Sequence, residues 1–386
     1  MEEIPKSDDS IVVKGSKKEY VGMLVIGILN NLPFWVAFSC SQAIVTHFNS
    51  LGFLGILNWG TVILGVFATS FNALLSANNV SHISRAIANG CFMGFGLFGA
   101  AFAPNIYVAI GFIALVGLSS DFGEGVMLGY FAATNNNSLL DAWGVGTGLS
   151  GFFGAGFAFL CQFYSIPYRT SMLVLCPSGL IYPLAFHYLI KPIPPKSEVD
   201  IESDGMEEEE EEIPSCSCRL WKHAMWYFIN NGLVFFAQYN ALSCFADCSM
   251  TKLERIQRPY WYSFLNMSYQ IGGLLARATL RFFKVKNVLV LTILQLSFSS
   301  LWFVNVFNRM LSDTLQSIIM GLIGFVGGVA YINIFDQTMN YPLLSKKERE
   351  IITNYTSISI AGGILVSSMF TILMQNKVIR SQCIER

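Results

Sequence analysis

Two carboxylates, Asp121 and Glu124, stand three residues apart in a stretch, from about Ile106 to Thr134, that is otherwise apolar enough to cross a lipid bilayer. On insertion scales an acid at the centre of a membrane helix costs about 2.5–3.5 kcal/mol, and each Leu, Ile, Phe or Val returns about 0.3–0.6 kcal/mol. The pair therefore nearly cancels the gain from roughly a dozen apolar residues. Acids held at that cost face a wet cavity or a partner, and a spacing of three puts both on one side of a helix. Together they can meet one solute or exchange one proton inside the membrane. Glu124 is the expected proton or gating site, with Asp121 second.

Other polar side chains also stand where hydrocarbon should be. Arg277 lies inside a later apolar window. Its planar guanidinium suits a phosphate, and it could equally be a structural cation paired with Glu124 or Asp336. Asn30 and Asn31 neighbour Pro33; Gln238 and Asn240 share a window with Asp247; Tyr331 and Asn333 share one with Asp336. For the amides, a solute contact and an interhelical hydrogen bond are both open readings. Asp247 and Asp336 come near the ends of their windows, where a solvated interface position is an equal alternative. Asn30, Asn31, Asp121, Glu124, Gln238, Asn240, Arg277, Tyr331 and Asn333 are thus the candidate cavity residues. Asp336 joins Glu124 and Asp121 as a candidate proton site.

Other chemistries find little support. Gly146, Gly148 and Gly151 spell G-x-G-x-x-G, but in a Gly-rich apolar stretch without the strand that a dinucleotide fold needs. Close helix packing explains them better, as it does Gly125 with Gly129 and Gly324 with Gly328. His47, His82, His187 and His223 are scattered without metal spacing, and neither a phosphate-binding lysine loop nor a G-x-S-x-G elbow occurs. An ATP-driven pump or a hydrolase is therefore disfavoured. No cofactor, metal or nucleic-acid partner is expected.

The elements that must position these residues are membrane helices. The chain is 53% hydrophobic and 13% charged, against about 25% charged in soluble domains, with a mean hydropathy of +0.50. Apolar windows begin near Val21, Leu51, His82, Ile106, Leu140, Tyr168, Lys222, Tyr260, Asn287, Asp313 and Ile351, which predicts about eleven spans. The runs are continuous rather than alternating, so helix is preferred to barrel. The charged start and the length of the first window predict a retained signal anchor.

Lys6, Lys14, Lys17 and Lys18, then Lys191, Lys196, Arg219 and Lys222, then Arg281, Lys284 and Lys286, then Lys346, Lys347 and Arg349 would all share one side. That bias predicts a cytosolic N-terminus and a lumenal C-terminus. Residues 1–20 would be a cytosolic tail, 21–190 a six-helix bundle, 191–221 a disordered acidic linker, 222–375 a five-helix bundle and 376–386 a lumenal tail. The linker holds Pro192, Pro194 and Pro195 and an unbroken glutamate run at 207–212. Most cysteines fall in or beside spans, Cys383 stands alone on the predicted lumenal tail, and no disulfide framework is expected. Cys216 and Cys218 are either idle thiols or acylation sites.

Several blocks carry a resemblance: ILNN at 28–31, SSDFGEG at 119–125, WGVGTG at 143–148, FAQY at 236–239, RPYWY at 258–262, YQ at 269–270 followed by ARATLR at 276–281, and GGVAYINIF at 327–335. In that order, from about Tyr20 to Ser368, the chain resembles battenin, a family of lysosomal membrane proteins. The resemblance implies an eleven-helix, major-facilitator-like fold in lysosomal or late endosomal membranes. It further implies export of glycerophosphodiesters and a part in lysosomal pH and basic amino acid balance. Glu124, Arg277, Tyr331 and Asn333 carry over as site residues. Where the family pattern has titratable groups this chain has Gln42, Ala43, Asn58, Val66 and Gln238, so a mechanism built on those groups does not transfer. Tyr341 to Leu344 on a predicted cytosolic loop fits a tyrosine sorting signal for cytosolic adaptors, with a chance match equally open.

The resulting expectation is an all-α integral membrane protein, six helices plus five in two bundles, acting as a non-enzymatic, non-ATP-driven transporter of a small phosphate-bearing solute, with protons as a candidate coupling ion. The alternative is a non-transporting scaffold or regulator of endolysosomal trafficking acting through the acidic linker. Deleting 207–212 separates them: a scaffold loses its partners, whereas a transporter keeps its flux.

Overall fold

The computed structural model describes residues 16–134, 137–190, 218–279, 284–339, 346–381 and 383. The first helix, α1 (Lys17–Ser39), begins on a capping box in which Ser16 Oγ accepts from the Glu19 N–H and the Glu19 carboxylate accepts from the Ser16 N–H. Pro33 lies inside α1 without ending it. After Cys40 comes α2 (Ser41–His47). The window expected to start at Leu51 is not one helix. It consists of a 3-10 turn, then α3 (Leu54–Ile63) and α4 (Gly65–Ala77), separated at Leu64.

Next follow α5 (His82–Phe102), α6 (Ile106–Thr134), α7 (Asn137–Phe163), α8 (Tyr168–Leu175) and α9 (Ser178–Leu189). The last two are halves of one apolar segment, parted at Cys176 and Pro177 because a proline cannot donate to the turn before it. Beyond the linker, α10 (Cys218–Tyr239) widens into a π turn, Asn240–Phe245, and ends as α11 (Ala246–Cys248). A second capping box, Thr251 with Glu254, starts the short α12 (Lys252–Gln257). The remainder is α13 (Trp261–Thr279), α14 (Val288–Asn308), α15 (Asp313–Met339) and α16 (Lys346–Leu373), with a final π turn over Met374–Val378.

The described residues are all helical or connecting, with no strand. Among the described residues, seven segments are long and apolar enough to cross a membrane: Lys17–Ser39, Ile106–Phe131, Ser138–Phe163, Tyr168–Leu189, Val288–Asn308, Asp313–Met339 and Tyr355–Val378. The chain is a multi-pass membrane protein. Buried apolar side chains gather largely by chain order: one cluster joins residues from Met23 to Ile190, and a second joins residues from Tyr239 to Cys383 together with Phe38. Glycines allow close helix contact at several of the expected positions, though a Cβ on Gly129 would meet only His82 Nε2 at 4.0 Å. A Cβ on Gly146 of α7 would collide with the Leu24 carbonyl of α1, and one on Gly324 of α15 with the Tyr269 carbonyl of α13.

One expectation is overturned. Cys383 is not a lone thiol on a free tail: it is disulfide-bonded to Cys248, with the Cα atoms 4.4 Å apart, and both are buried. The two lie 135 positions apart in the chain, so only the packing of α11 against the segment after α16 brings them together. The segment from residue 376, expected as a lumenal tail, packs against the protein in its described part, with Ile379 fully buried. The acidic run at 207–212, Cys216, the N-terminal residues 1–15 and the sorting tetrapeptide with Tyr341 and Leu344 lie outside the described residues.

Candidate functional site

The side of the molecule where α1 begins is called here the Lys17 side, and the side where it ends the Cys40 side. Glu124 sits mid-way along α6 yet is solvent-exposed, which a dry helix interface would not allow. It lies within electrostatic reach of Arg277, near the last described turn of α13, and of Tyr331 on α15. Arg277 and Tyr331 are exposed as well. Two segments distant in sequence thus bring an exposed acid and an exposed cation within electrostatic reach of each other.

The WGVGTG block explains how the guanidinium fits. A Cβ on Gly148 would collide with Arg277 Nη1, and one on Gly151 with Gln270 Oε1, so the glycines of α7 make room for both side chains of α13. Arg277 Nη1 also approaches the Gly144 carbonyl at 3.5 Å. Gln270 and Arg277 are seven residues apart, two turns along the same helix face. Gln270 is buried and its Nε2 donor has no partner. Asp121 is half-buried one turn before Glu124, and its carboxylate fills the space a Cβ on Gly65 would need. The break in the second window therefore aims the N-terminal, positive end of α4 at an acid.

The remaining candidates divide. Gln238 is buried in α10, and its Oε1 accepts from Tyr269 Oη at 3.1 Å. Asn30 is fully buried: Nδ2 donates to the Ser120 carbonyl at 2.8 Å, and Oδ1 accepts from Asn89 Nδ2 at 2.9 Å. Asn31 Oδ1 accepts from Ser120 Oγ at 2.7 Å. Both asparagines thus join α1 to its neighbours, with Asn31 partly open. Asn333 accepts from the Val285 N–H at 2.8 Å and donates to the Val329 carbonyl at 2.8 Å, which pins the connection before α14. Asn240 faces α14 and α16 instead of the acids. Asp336 pairs with Lys284 at 3.2 Å rather than with Arg277.

Asp247 is where a solvated position was open as an alternative, and burial decides against it. Its side chain is 1% exposed and that of Arg255 3%. Arg255 Nε donates to Asp247 Oδ1 at 3.1 Å and Nη2 to its carbonyl at 2.9 Å. Gln375 Nε2 donates to Oδ2 at 3.1 Å, and Gln42 Nε2, from the other end of the chain, donates to Oδ1 at 2.6 Å. Beside this knot Ser263 Oγ donates to the Ser39 carbonyl at 2.7 Å, and Asn376 Nδ2 to the Gly52 carbonyl at 2.9 Å. The bonds from Gln42 to Asp247, Ser263 to Ser39 and Asn376 to Gly52 join the two chain segments on the Cys40 side, while Arg255 and Gln375 hold Asp247 within its own segment. Asp247, Cys248 and Cys383 come close enough to share a metal ion, but a guanidinium already holds the carboxylate and the two sulfurs are bonded to each other.

The sequence left Gln270 and Arg255 unmarked. The two-turn spacing from Arg277 would have found Gln270; nothing local signals that Gln42 and Gln375 meet Asp247.

The solved structures that share this fold are membrane transporters. A bacterial homolog of the human lysosomal transporter Spinster, in an inward-facing and unoccupied conformation, aligns with a TM-score of 0.64 over 96% of this chain and 86% of its own, at 13% identity. A D-xylose-proton symporter aligns with a TM-score of 0.67 over 95% and 92%, at 11% identity. Among sequences, a battenin of Dictyostelium discoideum is 24% identical over 412 residues, covering 95% of this chain and 96% of the relative. A battenin of Canis lupus familiaris is 25% identical over 402 residues, covering 92% and 90%. The family model described as CLN3 protein matches residues 21–225 and 218–381. That match runs through α6, α7, α13 and α15, the helices that carry the acids, the glycine gap, the arginine and the tyrosine, and with it the chain belongs to the CLN3 protein family.

Proposed function

We propose that this chain is a secondary transporter of lysosomal or late endosomal membranes, built of eleven spans in bundles of six and five, that moves a small polar, phosphate-bearing solute through a cavity between the bundles. The observation that carries the proposal is the facing of Glu124 and Arg277 from opposite chain segments, both exposed, while the Cys40 side is closed by the Asp247 knot. A site between two helical bundles, closed at one end and open at the other, is one state of an alternating-access cycle. To the seven apolar spans this reading adds α3 with α4, α5, α10 with its π turn, and α13. Each is packed among the others, and each is shortened or made more polar by a break or by residues such as Arg85, Asn266 and Arg277.

The orientation rests on the disulfide. Such bonds persist in oxidising compartments and are rare in the cytosol, which favours a lumenal Cys40 side and a cytosolic cavity mouth, the orientation also favoured by the lysine distribution. Arg277 would take the phosphate by bidentate hydrogen bonds, with Gln270 Nε2 as a further donor. Glu124 and Asp121 would accept the coupling proton or the cationic part of a zwitterionic solute, and Tyr331 would shape the wall. The glycerophosphodiester class, and a role in lysosomal pH and basic amino acid balance, rest on the family resemblance. The test is uptake of radiolabelled glycerophosphocholine into proteoliposomes holding the purified chain. Glu124→Gln is expected to lower the rate at least tenfold with the melting temperature unchanged, and Arg277→Ala to raise KM. Normal flux in Glu124→Gln would remove that residue from the mechanism, and no flux of any phosphodiester by the wild type would overturn the substrate assignment.

A further inference from the structure

A second cleft, of about 190 Å³, opens between the π turn after α10, the middle of α14 and the end of α16. Its lining is mostly apolar, and the helices that bound it carry further exposed apolar side chains: Ile293 and Val304 on α14, and Val366, Met369 and Leu373 on α16. In a membrane protein such a surface faces lipid. At its base Asn240 is 1% exposed. Its Nδ2 donates to the Phe236 carbonyl at 2.9 Å, four residues back, and its Oδ1 has no donor. Ser299 and Ser300 line the same cleft, and neither side chain has a hydrogen bond among the described residues. Three polar groups thus converge in a lipid-facing cleft with an acceptor unsatisfied. Several buried polar atoms lack a partner among the described residues, and Asn240 Oδ1 is the one that lines this cleft; π turns inside helices are frequent at functional sites.

The walls are aromatic and mutually braced. Phe236 meets Phe370 edge-on at 5.6 Å, Phe245 meets Phe303 at 5.5 Å, and Phe245 meets Phe370 at 6.4 Å. Ordinary solvent is a poor occupant, because the volume would hold roughly six waters at about 30 Å³ each, and few of them would find the two to four polar partners an ordered water needs. A phospholipid acyl chain suits the phenyl walls but brings no donor to Asn240. No described lysine or arginine lines the cleft to hold a charged head group. The groups present ask for one hydroxyl on a rigid, flat, apolar body.

We propose that this cleft is a binding site for a membrane sterol, whose hydroxyl donates to Asn240 Oδ1 and accepts from Ser299 or Ser300 while its first rings lie among Phe236, Phe245, Phe303 and Phe370. The cleft seats one end of the molecule, and the remaining rings and tail stay in the bilayer against α14 and α16. Asn240 lies eight residues before Cys248, so the site is about 12 Å along the helix from the Cys40 side and takes its sterol from that leaflet. It is separate from the acids and arginine described above and stands whether or not the transport reading does.

The full chain, purified into phosphatidylcholine nanodiscs, is labelled with a photoreactive alkyne-bearing cholesterol analogue, and the adducts are mapped by mass spectrometry. Adducts are expected within Phe236–Phe245 and Leu296–Phe303, displaced by excess cholesterol but not by excess ceramide or diacylglycerol. Asn240→Leu, which keeps the shape and removes the acceptor, should lower labelling there at least fivefold. Ser300→Trp, at an exposed position where folding tolerates change, should block the cleft and do the same. Labelling unchanged in both variants, absent from the cleft in the wild type, or displaced equally by ceramide would overturn the proposal.

Discussion

Asp247 accepts four hydrogen bonds from side-chain donors, three at its carboxylate and one at its main-chain carbonyl; the one from Gln42 joins the two chain segments, and the burial of the carboxylate makes the charge on Arg255 indispensable. Removing one partner of a buried ion pair strands the other charge, at a cost of about 3–5 kcal/mol, whereas replacing both by apolar groups is often close to neutral. Arg255→Met should therefore lower the melting temperature of the purified protein sharply, and Arg255→Met with Asp247→Leu should recover most of the loss. A double variant as unstable as the single would show that the pair is not the term that matters. The same closeness to solvent or protein separates the other acids. Glu124 is exposed, Asp336 is answered by Lys284, and Asp121 lies against the start of α4. Types and spacing picked out Asp121 and Glu124 because apolar neighbours made them conspicuous; Asp247, near a span end, looked the same as any interfacial acid.

At the scale of elements, two local devices can be tested. The α12 cap places Glu254 against the Thr251 N–H at 2.6 Å and its hydroxyl at 3.0 Å, with Arg258 and Arg309 each at 3.4 Å. Partial burial pushes the Glu254 pKa up, but the Thr251 hydrogen bonds and the two guanidiniums outweigh it and hold the carboxyl below its ordinary 4.5. A carboxyl depressed in the folded state contributes stability that is present above the unfolded value and lost as pH falls through the folded one. Wild type should therefore exceed Glu254→Gln by no more than about 1 kcal/mol at neutral pH, given the partial exposure, and the two melting curves should converge only below pH 4.5. Convergence already near neutrality would refute the cap. The second device is the α1–α7 contact. Gly146→Leu must push into the Leu24 main chain, which cannot yield, while a Cβ on Gly144 meets nothing within 4 Å. Gly146→Leu should lose about 1–3 kcal/mol or more and the monodisperse peak in size exclusion, with Gly144→Ala unaffected.

For the whole molecule, the proposed closure on the Cys40 side and opening around the exposed Glu124, Arg277 and Tyr331 predict which face reagents can reach. A membrane-impermeant thiol reagent applied from the Lys17 side should modify Tyr331→Cys faster than Tyr262→Cys, which is fully buried. Adding Gln42→Ala should raise modification of Tyr262→Cys from the Cys40 side by loosening the knot; no change there would mean that Gln42 does not help to close it. Long apolar windows, the lysine bias and a handful of glycine-rich blocks made the membrane class, the helical architecture and the family legible in the sequence, because insertion into hydrocarbon is governed by local composition and length. The disulfide of Cys248 with Cys383, the joining of Gln42 to Asp247, and the hydrogen bonds of Asn30 with Asn89 and of Asn333 with Val285 were decided only by the tertiary structure. Each depends on which side chain stands opposite another across more than forty residues of chain, and a hydrogen bond or a disulfide is settled by that distance in space, about which sequence separation carries no information.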